Sequence, residues 1–483
     1  MNITLVEGHE RRPEAAAPPA PARRSLLLIA AAIAIPAVVL AATAVARYLN
    51  GHSLIDQVVF DQGIWALSSG HAPLSTVIRE TLLEDHFGPG ILVFALLYRI
   101  AATPVWLIVG QALAASVSVW LIGRRLLPAL GPRRAGLLAA VLLASPPVAY
   151  ALLFDVHPIV LAMPFAIAAV FALEDGRSRA AAVLGLLAAL FRIEVGVAVA
   201  VAFTVWPGSR RGRLLPGLLL AGYLAVALYF EKALGHDVYW PIHYGHLGTS
   251  PVDAIAHPWR IGSTLLSATA LAKFLPWLAT GAFLSLRRPR LLVPAAVMAL
   301  PVLLSHWAGT AGVVYQYGLA PTLFLALAWV PTVRERPDRA NRVIAGSLLL
   351  GVLLGPISPG LPSSNSLQGF LGQYWVTQSE ASCIGKGIPD TAGVSGSQPI
   401  TLLAHRRVLY LWPYPFAGVP SNLLPADYLK TGDAQLAGAV DYLIVKSDDK
   451  NPVPAGFGPD GHSQHYLRYR RLATTVPDPV SCR

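Results

Sequence analysis

Residues 54–89 read LIDQVVFDQGIWALSSGHAPLSTVIRETLLEDHFGP, a polar segment between apolar runs, and the rest of the chain is arranged around it. Acids and a histidine recur along it, at Asp56, Asp61, Glu80, Glu84, Asp85 and His86. A connection longer than about 12–15 residues without structure of its own is usually functional. We therefore expect this segment to form an outer loop that carries the chemistry, with the flanking helices holding it at one membrane face.

The composition is that of a polytopic membrane protein. Hydrophobic residues make up 54% of the 483-residue chain and charged residues 13%, against roughly 25% charged residues in soluble domains. The mean hydropathy is +0.54. The net charge of +11 comes from short arginine clusters between apolar runs, a pattern typical of membrane topology signals. We therefore attribute the net positive charge to membrane topology signals, and we expect no nucleic-acid partner.

Eleven apolar runs are predicted to cross the membrane, at residues 25–46, 105–122, 135–153, 157–173, 179–193, 195–207, 214–231, 264–286, 291–306, 313–331 and 342–356. The apolar segment 88–102 is short for a crossing, which needs about 20 residues. It is expected to lie along the outer face or to dip into it.

Arginine placement gives the orientation. With the N-terminus inside, every inside loop contains at least two arginines, as the positive-inside rule requires. This holds only if the segment 88–102 does not cross. We therefore expect a disordered cytoplasmic tail at 1–24 and a plasma-membrane domain at 25–356, with the outer loop at 47–104. Residues 357–483 then form an extracytoplasmic domain.

The C-terminal segment is predicted to be a small α/β domain. Two short runs with β-branched or aromatic members, Arg407–Leu411 and Tyr442–Lys446, are expected to be strands. Pro399–His405 and Leu436–Val440 fit helical turns. Cysteine usage is low, and outside the cytoplasm the two cysteines could form one bridge. The alternative is a pair of unpaired thiols, and the cysteines concerned are Cys383 and Cys482.

Polar residues of the predicted spans gather at the outer face. They occur in the motifs FDVHP and FRIE and in a later outer turn, at Asp155, His157, Arg192, Glu194, Gln316 and Tyr317. Ionisable residues at membrane depth are costly and usually functional. A transporter would place such groups near the midplane, in broken and repeated helices. The one-sided pattern favours an outward-facing site for a lipid-borne substrate.

Each motif also has a structural interpretation. The dipeptides Asp61-Gln62 and Asp85-His86 fit helix caps, and Arg192 with Glu194 fits a local salt bridge. The histidine-rich segment 236–246 could bind a metal ion or be merely polar. FDVHP is harder to explain in this way, because an ordinary tight turn needs neither an acid nor a histidine.

The chain resembles a predicted membrane protein family, "domain of unknown function 2079", over about residues 47–332. The resemblance rests on LIDQVVFDQGIWALSSG, EDHFGPGILVFALLYRI, FDVHP and FRIEVG, in that order. The matching positions are Asp56, Asp61, Gln62, Trp65, Asp85, His86, Pro89, Asp155, His157 and Pro158. The C-terminal stretch IPDTAGVSGSQPITLLAHRRVLYLWPYP also resembles the family.

Two motifs depart from the family pattern. Arg192-Ile193-Glu194 stands where the family usually has Lys-Glu-Asp, so one acidic position is lost. Gln316-Tyr317 precedes Pro321 where the family often has His-Tyr, which removes any role of that histidine.

In layout the family is similar to the GT-C membrane glycosyltransferases, which use polyprenyl-phosphate sugars. The expected fold is an all-α polytopic membrane protein with about 11 spans, GT-C-like, and a small extracytoplasmic α/β domain. The expected partners are membrane lipid, a polyprenyl-phosphate-linked sugar and an envelope glycan, lipid or protein acceptor. The alternatives are a lipid or polymer transporter or flippase, and a non-enzymatic envelope assembly protein.

The resemblance implies roles for the site residues. Asp56 or Asp61 would be the general base, with Asp56 preferred because it is nearer the first span. Arg192, His86 or His157 would offset the charge of the leaving phosphate. Asp155 or Asp85 would orient a histidine or hold a divalent metal, which is a candidate cofactor. The other expected substrate contacts are Gln62, Trp65, Glu194, Gln316 and Tyr317.

Overall fold

The structure is a computed structural model, and it describes residues 23–49, 55–85, 87–206, 210–234, 239–277, 280–281, 283–306, 316–354, 380, 383–397, 402–416, 434–472 and 480–481. These residues form a helical membrane part followed by a mixed β-sheet near the C-terminus. Most of the predicted N-terminal tail lies outside the described residues. His86 and Cys482 also lie outside them.

The helices of the membrane part run in chain order from α1 to α18. They are α1 (Arg23–Leu49), α2 (Ile55–Ser68), α3 (Leu82–Asp85), α4 (Ala95–Tyr98), α5 (Val105–Leu143), α6 (Pro146–Leu153), α7 (Pro158–Glu174), α8 (Ser178–Phe191), α9 (Ile193–Val205), α10 (Arg210–Leu234), α11 (Tyr239–Tyr244), α12 (Pro251–Ala256), α13 (Pro258–Leu265), α14 (Ala268–Trp277), α15 (Phe283–Ser285), α16 (Val293–Leu304), α17 (Leu319–Glu335) and α18 (Ala340–Leu354).

Three helices in the described part of the chain are long and apolar enough to cross a membrane: α1, α5 and, through Gly212–Phe230, α10. Helix α5 is bent at Gly131, whose φ of 71° lies in the left-handed region that favours glycine. The remaining apolar helices are shorter. The chain is thus mostly helical, as expected, and the count of eleven crossings stays a prediction.

Two of the predicted spans are divided into separate helices. The segment 135–153 contains the end of α5 and the whole of α6, because Pro146 and Pro147 remove N–H donors and start a new helix after Ser145. The segment 264–286 is divided among α13, α14 and α15. There Ser267 caps α14 by accepting from the N–H of Ala270 at 3.1 Å.

Close helix packing in the membrane part depends on small residues. A Cβ added at Gly123 or Gly136 of α5 would come within 3.2 Å of Ile29 or Ala32 of α1. These glycines let the two helices approach closely, as small residues do in membrane interfaces. Helix α17 lies in the middle of the core and is buried over nearly its whole length.

The first loop is more structured than expected. It contains the buried helix α2, a small antiparallel pair of strands β1 (Leu74–Ser75) and β2 (Glu80–Thr81), and the short helix α3. The predicted surface segment 88–102 forms a 3₁₀ turn at Pro89–Phe94 that continues into α4. Gly90 in this turn lies against Leu190 and Phe191 at the end of α8, where an added Cβ would meet atoms at 3.0–3.1 Å.

The C-terminal sheet consists of β3 (Val394–Gly396), β4 (Leu409–Leu411), β5 (Tyr442–Lys446), β6 (Phe457–His462), β7 (Tyr466–Arg471) and β8 (Val480–Ser481), with a short helix α19 (Ala434–Gly438). These six strands lie in the order β4-β3-β5-β7-β6-β8. Strand β3 pairs in parallel with β4 and β5, while β7 pairs antiparallel with β5 and β6. The two predicted strands are present, as β4 and β5.

Candidate active site

Helix α2 carries Asp56 and Asp61, the two first-loop acids that the sequence predicts as candidate bases. Asp56 lies in its first turn, where a negative charge is favourable against the helix dipole. Asp61 follows five residues later, so the two side chains leave the helix about 140° apart. Each acid contacts a histidine from a different part of the chain.

The first pair joins Asp56 to His157, which precedes α7. Nε2 of His157 lies 3.0 Å from a carboxylate oxygen of Asp56. Nδ1 of His157 lies 2.9 Å from the backbone oxygen of Asp155, which only accepts hydrogen bonds, so Nδ1 must carry a proton. The Asp56 contact therefore requires one further proton, shared between the imidazole and the carboxylate.

Buried polar groups hold the turn 154–157 against α2. Asp155 is fully buried, accepts from the backbone N–H of Gln57 at 3.0 Å and lies 3.8 Å from the guanidinium of Arg47. The side-chain oxygen of Gln57 accepts in return from the N–H of Val156 at 3.3 Å. Gln111 of α5 accepts from the N–H of His157 at 2.9 Å. Asp155 is thus a positioning group, and the carboxylate that meets His157 is that of Asp56.

The second pair joins Asp61 to His405, which belongs to the C-terminal domain. One oxygen of Asp61 accepts from Nε2 of His405 and from the hydroxyl of Tyr98, both at 2.8 Å. The ring of His405 stacks on Trp65, with centroids 5.7 Å apart and planes 9° apart. Asp61 is 1% exposed, whereas His405 is 29% exposed. Burial, with the charge of Asp61, raises the pKa of Tyr98 well above its ordinary value, so its hydroxyl stays a donor.

Gln62 links α2 both to the first loop and to the C-terminal domain, and its side-chain nitrogen and oxygen are both hydrogen-bonded. Its amide nitrogen donates to Thr76 Oγ1 at 2.9 Å and to the backbone oxygen of Arg406 at 2.8 Å. Its oxygen accepts from Ser75 Oγ and from the N–H of Thr76. Thr76 Oγ1 in turn exchanges hydrogen bonds with the N–H and C=O of Leu409 on β4. Gln62 therefore acts as a bracket between the two parts.

The EDHFGP motif starts with a capping arrangement at α3. Thr81 N donates to the Glu84 carboxylate at 2.7 Å, and Glu84 N donates to Thr81 Oγ1 at 3.3 Å, which is a capping box. Asp85 ends this helix and is half-buried. The predicted role of His86 falls outside the described residues. Phe87 stacks on Phe230 of α10, which ties the motif to the membrane part.

Arg192 and Glu194 occupy the break between α8 and α9. Arg192 has an extended backbone, and its Nε lies 2.8 Å from the Glu194 carboxylate. Tyr244 lies in the histidine-rich segment, and burial, together with the negative charge of Glu194, raises the pKa of Tyr244 to about 12. Convergence of this ion pair with Asp56 stays a prediction.

The later outer turn begins α17. Gln316–Gly318 form a 3₁₀ turn, in which the side chain of Gln316 is outside the described part and Tyr317 packs against the hydrophobic core. Gly318 lies against Pro147, close enough that a Cβ would approach it to 2.9 Å. The expected substrate contacts of Gln316 and Tyr317 remain predictions.

Sequence reasoning missed three polar residues near these sites. His405 and Tyr98 lie in stretches that resemble the family, but the sequence predicted no role for either of them, and only folding places them on Asp61. Lys273 had a usable signal, since it is a lysine inside a predicted span. It is buried, and its ammonium donates to the backbone oxygens of Val302 and Ser305 at 2.9 and 2.7 Å. Lys273 therefore caps the C-terminal end of α16.

The remaining predictions concern sulfur and metal. Cys383 is disulfide-bonded, and Cys482 is the other cysteine of the sequence. Because Cys482 lies outside the described residues, their pairing stays a prediction. Among the residues that the structure describes, no three His, Cys, Asp or Glu side chains are grouped so as to hold a metal ion. Asp56 and Asp61 each contact a histidine, and Glu194 contacts an arginine.

Comparison with known proteins adds the family and the fold. The profile of the family described as "Predicted membrane protein (DUF2079)" matches residues 52–443. The structure of ArnT from Cupriavidus metallidurans bound to undecaprenyl phosphate is similar at 12% identity and a TM-score of 0.52, covering 92% of this chain and 99% of that one. The apo structure of the same protein gives 13% identity, a TM-score of 0.43 and coverage of 90% and 98%. No curated protein matches the chain. The membrane fold is thus GT-C-like, as the sequence resemblance implied.

Proposed function

We propose, from the premise that this chain belongs to the DUF2079 family of predicted membrane proteins, that it is a membrane glycosyltransferase. It moves a sugar from a polyprenyl-phosphate donor to a cell-envelope acceptor at the outer face. The observation that carries the proposal is the pair of first-loop acids in a GT-C-like fold, each hydrogen-bonded to a histidine. The undecaprenyl phosphate bound to the similar ArnT structure supports a polyprenyl phosphate as the lipid.

The Asp56–His157 pair suits the leaving phosphate. Both ring nitrogens of His157 contact acceptor oxygens, and the residue is held in a fixed orientation by Asp155 and Gln111. A preorganised cation at the place where negative charge develops lowers the barrier more than a mobile one. In this proposal His157 offsets the phosphate that leaves, and Arg192 is a second cation near the same face.

The acceptor hydroxyl must lose its proton as its oxygen bonds to C1 of the sugar. A first-loop acid supplies the base, either Asp56 directly or Asp61 through a neighbour. Asp56 is 41% exposed and is accessible to a substrate, whereas Asp61 is buried. Gln62 and Trp65 support Asp61 and its partner, and Asp85 with His86 would close the other side of the cleft. No step of the proposal requires a divalent metal.

The proposal places the site, the C-terminal domain and a Cys383–Cys482 bridge outside the cytoplasm. Its topology is tested by cysteine substitution at Ser209 and Ser363 and labelling of cells with an impermeant reagent. Position 363 should react and position 209 should not. Labelling at 209 from outside would overturn the topology, and mass spectrometry of unreduced peptides tests the bridge.

The function is tested with membranes that contain the full chain and a panel of synthetic undecaprenyl-phosphate sugars. We expect release of undecaprenyl phosphate from at least one donor, and loss of that release in Asp56→Asn. Asparagine keeps the volume and caps a helix about as well as aspartate, so the change tests chemistry. Donor binding and transbilayer movement without cleavage would instead indicate a translocator.

A further inference from the structure

His405 of the C-terminal domain contacts the first loop and has one ring nitrogen that is available to accept a proton. Nε2 of His405 is bound to Asp61 at 2.8 Å, whereas Nδ1 has no hydrogen-bond partner in the described part of the chain. The side chain is 29% exposed. His157 differs, because both of its nitrogens are engaged. His405 is therefore the one of the two histidines that is able to take a proton while keeping its aspartate contact.

Asp61 has the surroundings of an orienting group. It is buried, and the acceptor oxygen it offers to His405 also receives the hydroxyl of Tyr98. A buried carboxylate that accepts from one imidazole nitrogen fixes the tautomer, leaves the lone pair on the other nitrogen and stabilises the imidazolium once it forms. Trp65 lies flat against the ring, and Tyr98 meets it edge-on, so the ring has one defined orientation.

The other charged and titratable groups around His405 leave its contact with Asp61 undisturbed. Arg406 turns away to the backbone oxygens of Pro389 and Ile388, and Arg407 turns to His71. Tyr48 of α1 lies near Asp61 and faces the same carboxylate. Asp61 is thus the charged side chain that His405 contacts.

We propose that His405 is the catalytic base of the transfer and that Asp61 is its positioning residue. This inference rests on the proposed glycosyltransferase function. The acceptor oxygen forms a bond to C1 of the sugar while the bond from C1 to the lipid-phosphate oxygen breaks. The electron pair of the broken bond stays on the phosphate oxygen. The hydroxyl proton passes to Nδ1 of His405 and then to water. Asp61 remains ionised throughout, and the C-terminal domain completes the active site.

The decisive variant is His405→Gln. The glutamine Nε2 is able to replace the donor to Asp61, but the amide takes no proton. We expect release of undecaprenyl phosphate from the donor panel to slow roughly 10²–10⁴-fold, and any fall of the rate at acidic pH to disappear. His462→Gln, an exposed histidine of the same domain, is the matched control and should behave as wild type.

A purely structural role would give another result. It predicts that His405→Gln retains activity with an unchanged pH profile, since the link to Asp61 is kept. It also predicts that Thr76→Val, which weakens domain docking at Leu409, costs more than His405→Gln. Protease resistance of the full chain in detergent measures docking, and it should be lowered in Thr76→Val but not in His405→Gln.

A second measurement does not depend on transfer. Diethyl pyrocarbonate acylates unprotonated imidazole nitrogens, and peptide mass spectrometry of the treated full chain gives a rate for each histidine. We expect His405 to react through Nδ1, and Asp61→Asn to lower its rate several-fold while His462 is unchanged. No effect of Asp61→Asn on His405 overturns the pair, as does full activity of His405→Gln. If Asp56→Asn is inactive while His405→Gln is not, the transferase stands and this inference falls.

Discussion

Helix α2 carries the acids of two aspartate–histidine pairs, and the two pairs differ in burial and in hydrogen bonding. Asp56 and His157 lie within the membrane part, 3.0 Å apart, with the acid exposed and the histidine closed at both nitrogens. Asp61 and His405 join the membrane part to the C-terminal domain, 2.8 Å apart. The acid is buried, and one nitrogen of the histidine has no hydrogen-bond partner among the residues that the structure describes. The first pair holds a charge in place, while the second is able to receive a proton. Both acids are aspartates on the same helix, so the surroundings of each histidine set the role of its pair.

The largest expected effect comes from neutralising the acids. Asp56→Asn and Asp61→Asn should each slow donor cleavage roughly 10²–10⁴-fold, the range of acid–base contributions, while membrane insertion is unchanged. The comparison is sharpened by pH, because Asp61→Asn should also change the pH profile of the rate. Initial rates across pH 5–8 measure both. Wild-type rates in both single variants and in the double variant would remove the transferase mechanism.

The next effect separates the pairs by ligand binding. His157→Gln removes a charge-assisted contact, of about 1.5–3 kcal/mol, so the Kd for undecaprenyl phosphate should rise roughly ten- to a hundredfold. His405→Gln should leave this Kd unchanged. Native mass spectrometry of the purified chain with undecaprenyl phosphate measures both, with uncharged undecaprenol as the control lipid. Equal Kd values in the two variants would break the division of roles.

A smaller effect concerns the bracket between the two parts. Gln62→Ala leaves the buried hydroxyl of Ser75 and the half-buried N–H of Thr76 without their partner, a cost of about 1–3 kcal/mol. It should lower the thermal midpoint of domain docking and weaken the Asp61–His405 pair without changing undecaprenyl phosphate binding. Leu286→Ala, an exposed apolar residue of the membrane part, should leave docking unchanged. Retained docking in Gln62→Ala would show that other contacts hold the domain.

The smallest expected effect is that of Tyr98→Phe. It removes one of the two hydrogen bonds to the same oxygen of Asp61, and the other, from His405, remains. The rate of donor cleavage should fall only a few-fold, with the acidic fall of the rate retained. Because burial and Asp61 raise the pKa of Tyr98 far above neutrality, no alkaline change below pH 9 should depend on this residue. A loss as large as that of Asp61→Asn would assign Tyr98 a direct role.

The sequence was sufficient for elements that depend on local pattern. The helical membrane part, strands β4 and β5 and the non-regular break at Arg192 follow from apolar runs, β-branched residues and an interrupting charge. Local pattern did not reveal that Pro146 and Pro147 divide the predicted span 135–153 between two helices. The one-sided polar motifs pointed to Asp56, Asp155 and His157, which the structure brings together.

The partner of Asp61 lay beyond such reasoning. His405 follows an apolar run that carries no histidine motif, and it is 344 residues from Asp61 in the chain. Tyr98 sits in an apolar surface segment where an aromatic residue is ordinary. Only the fold of the C-terminal domain brings these side chains to one carboxylate. A pattern of residue types within one sequence carries no record of such distant pairs.

The bracket at Gln62 sets an order for biogenesis. Its contact with Arg406 spans 344 residues, so the ribosome completes the whole membrane part before the contact forms. Until then α2 carries its two acids without the histidine of the C-terminal domain. Domains generally fold in order of synthesis, so the contact between Asp61 and His405 forms only after the membrane part is complete. A chain interrupted before residue 405 would keep both acids of α2 but lack the histidine partner of Asp61.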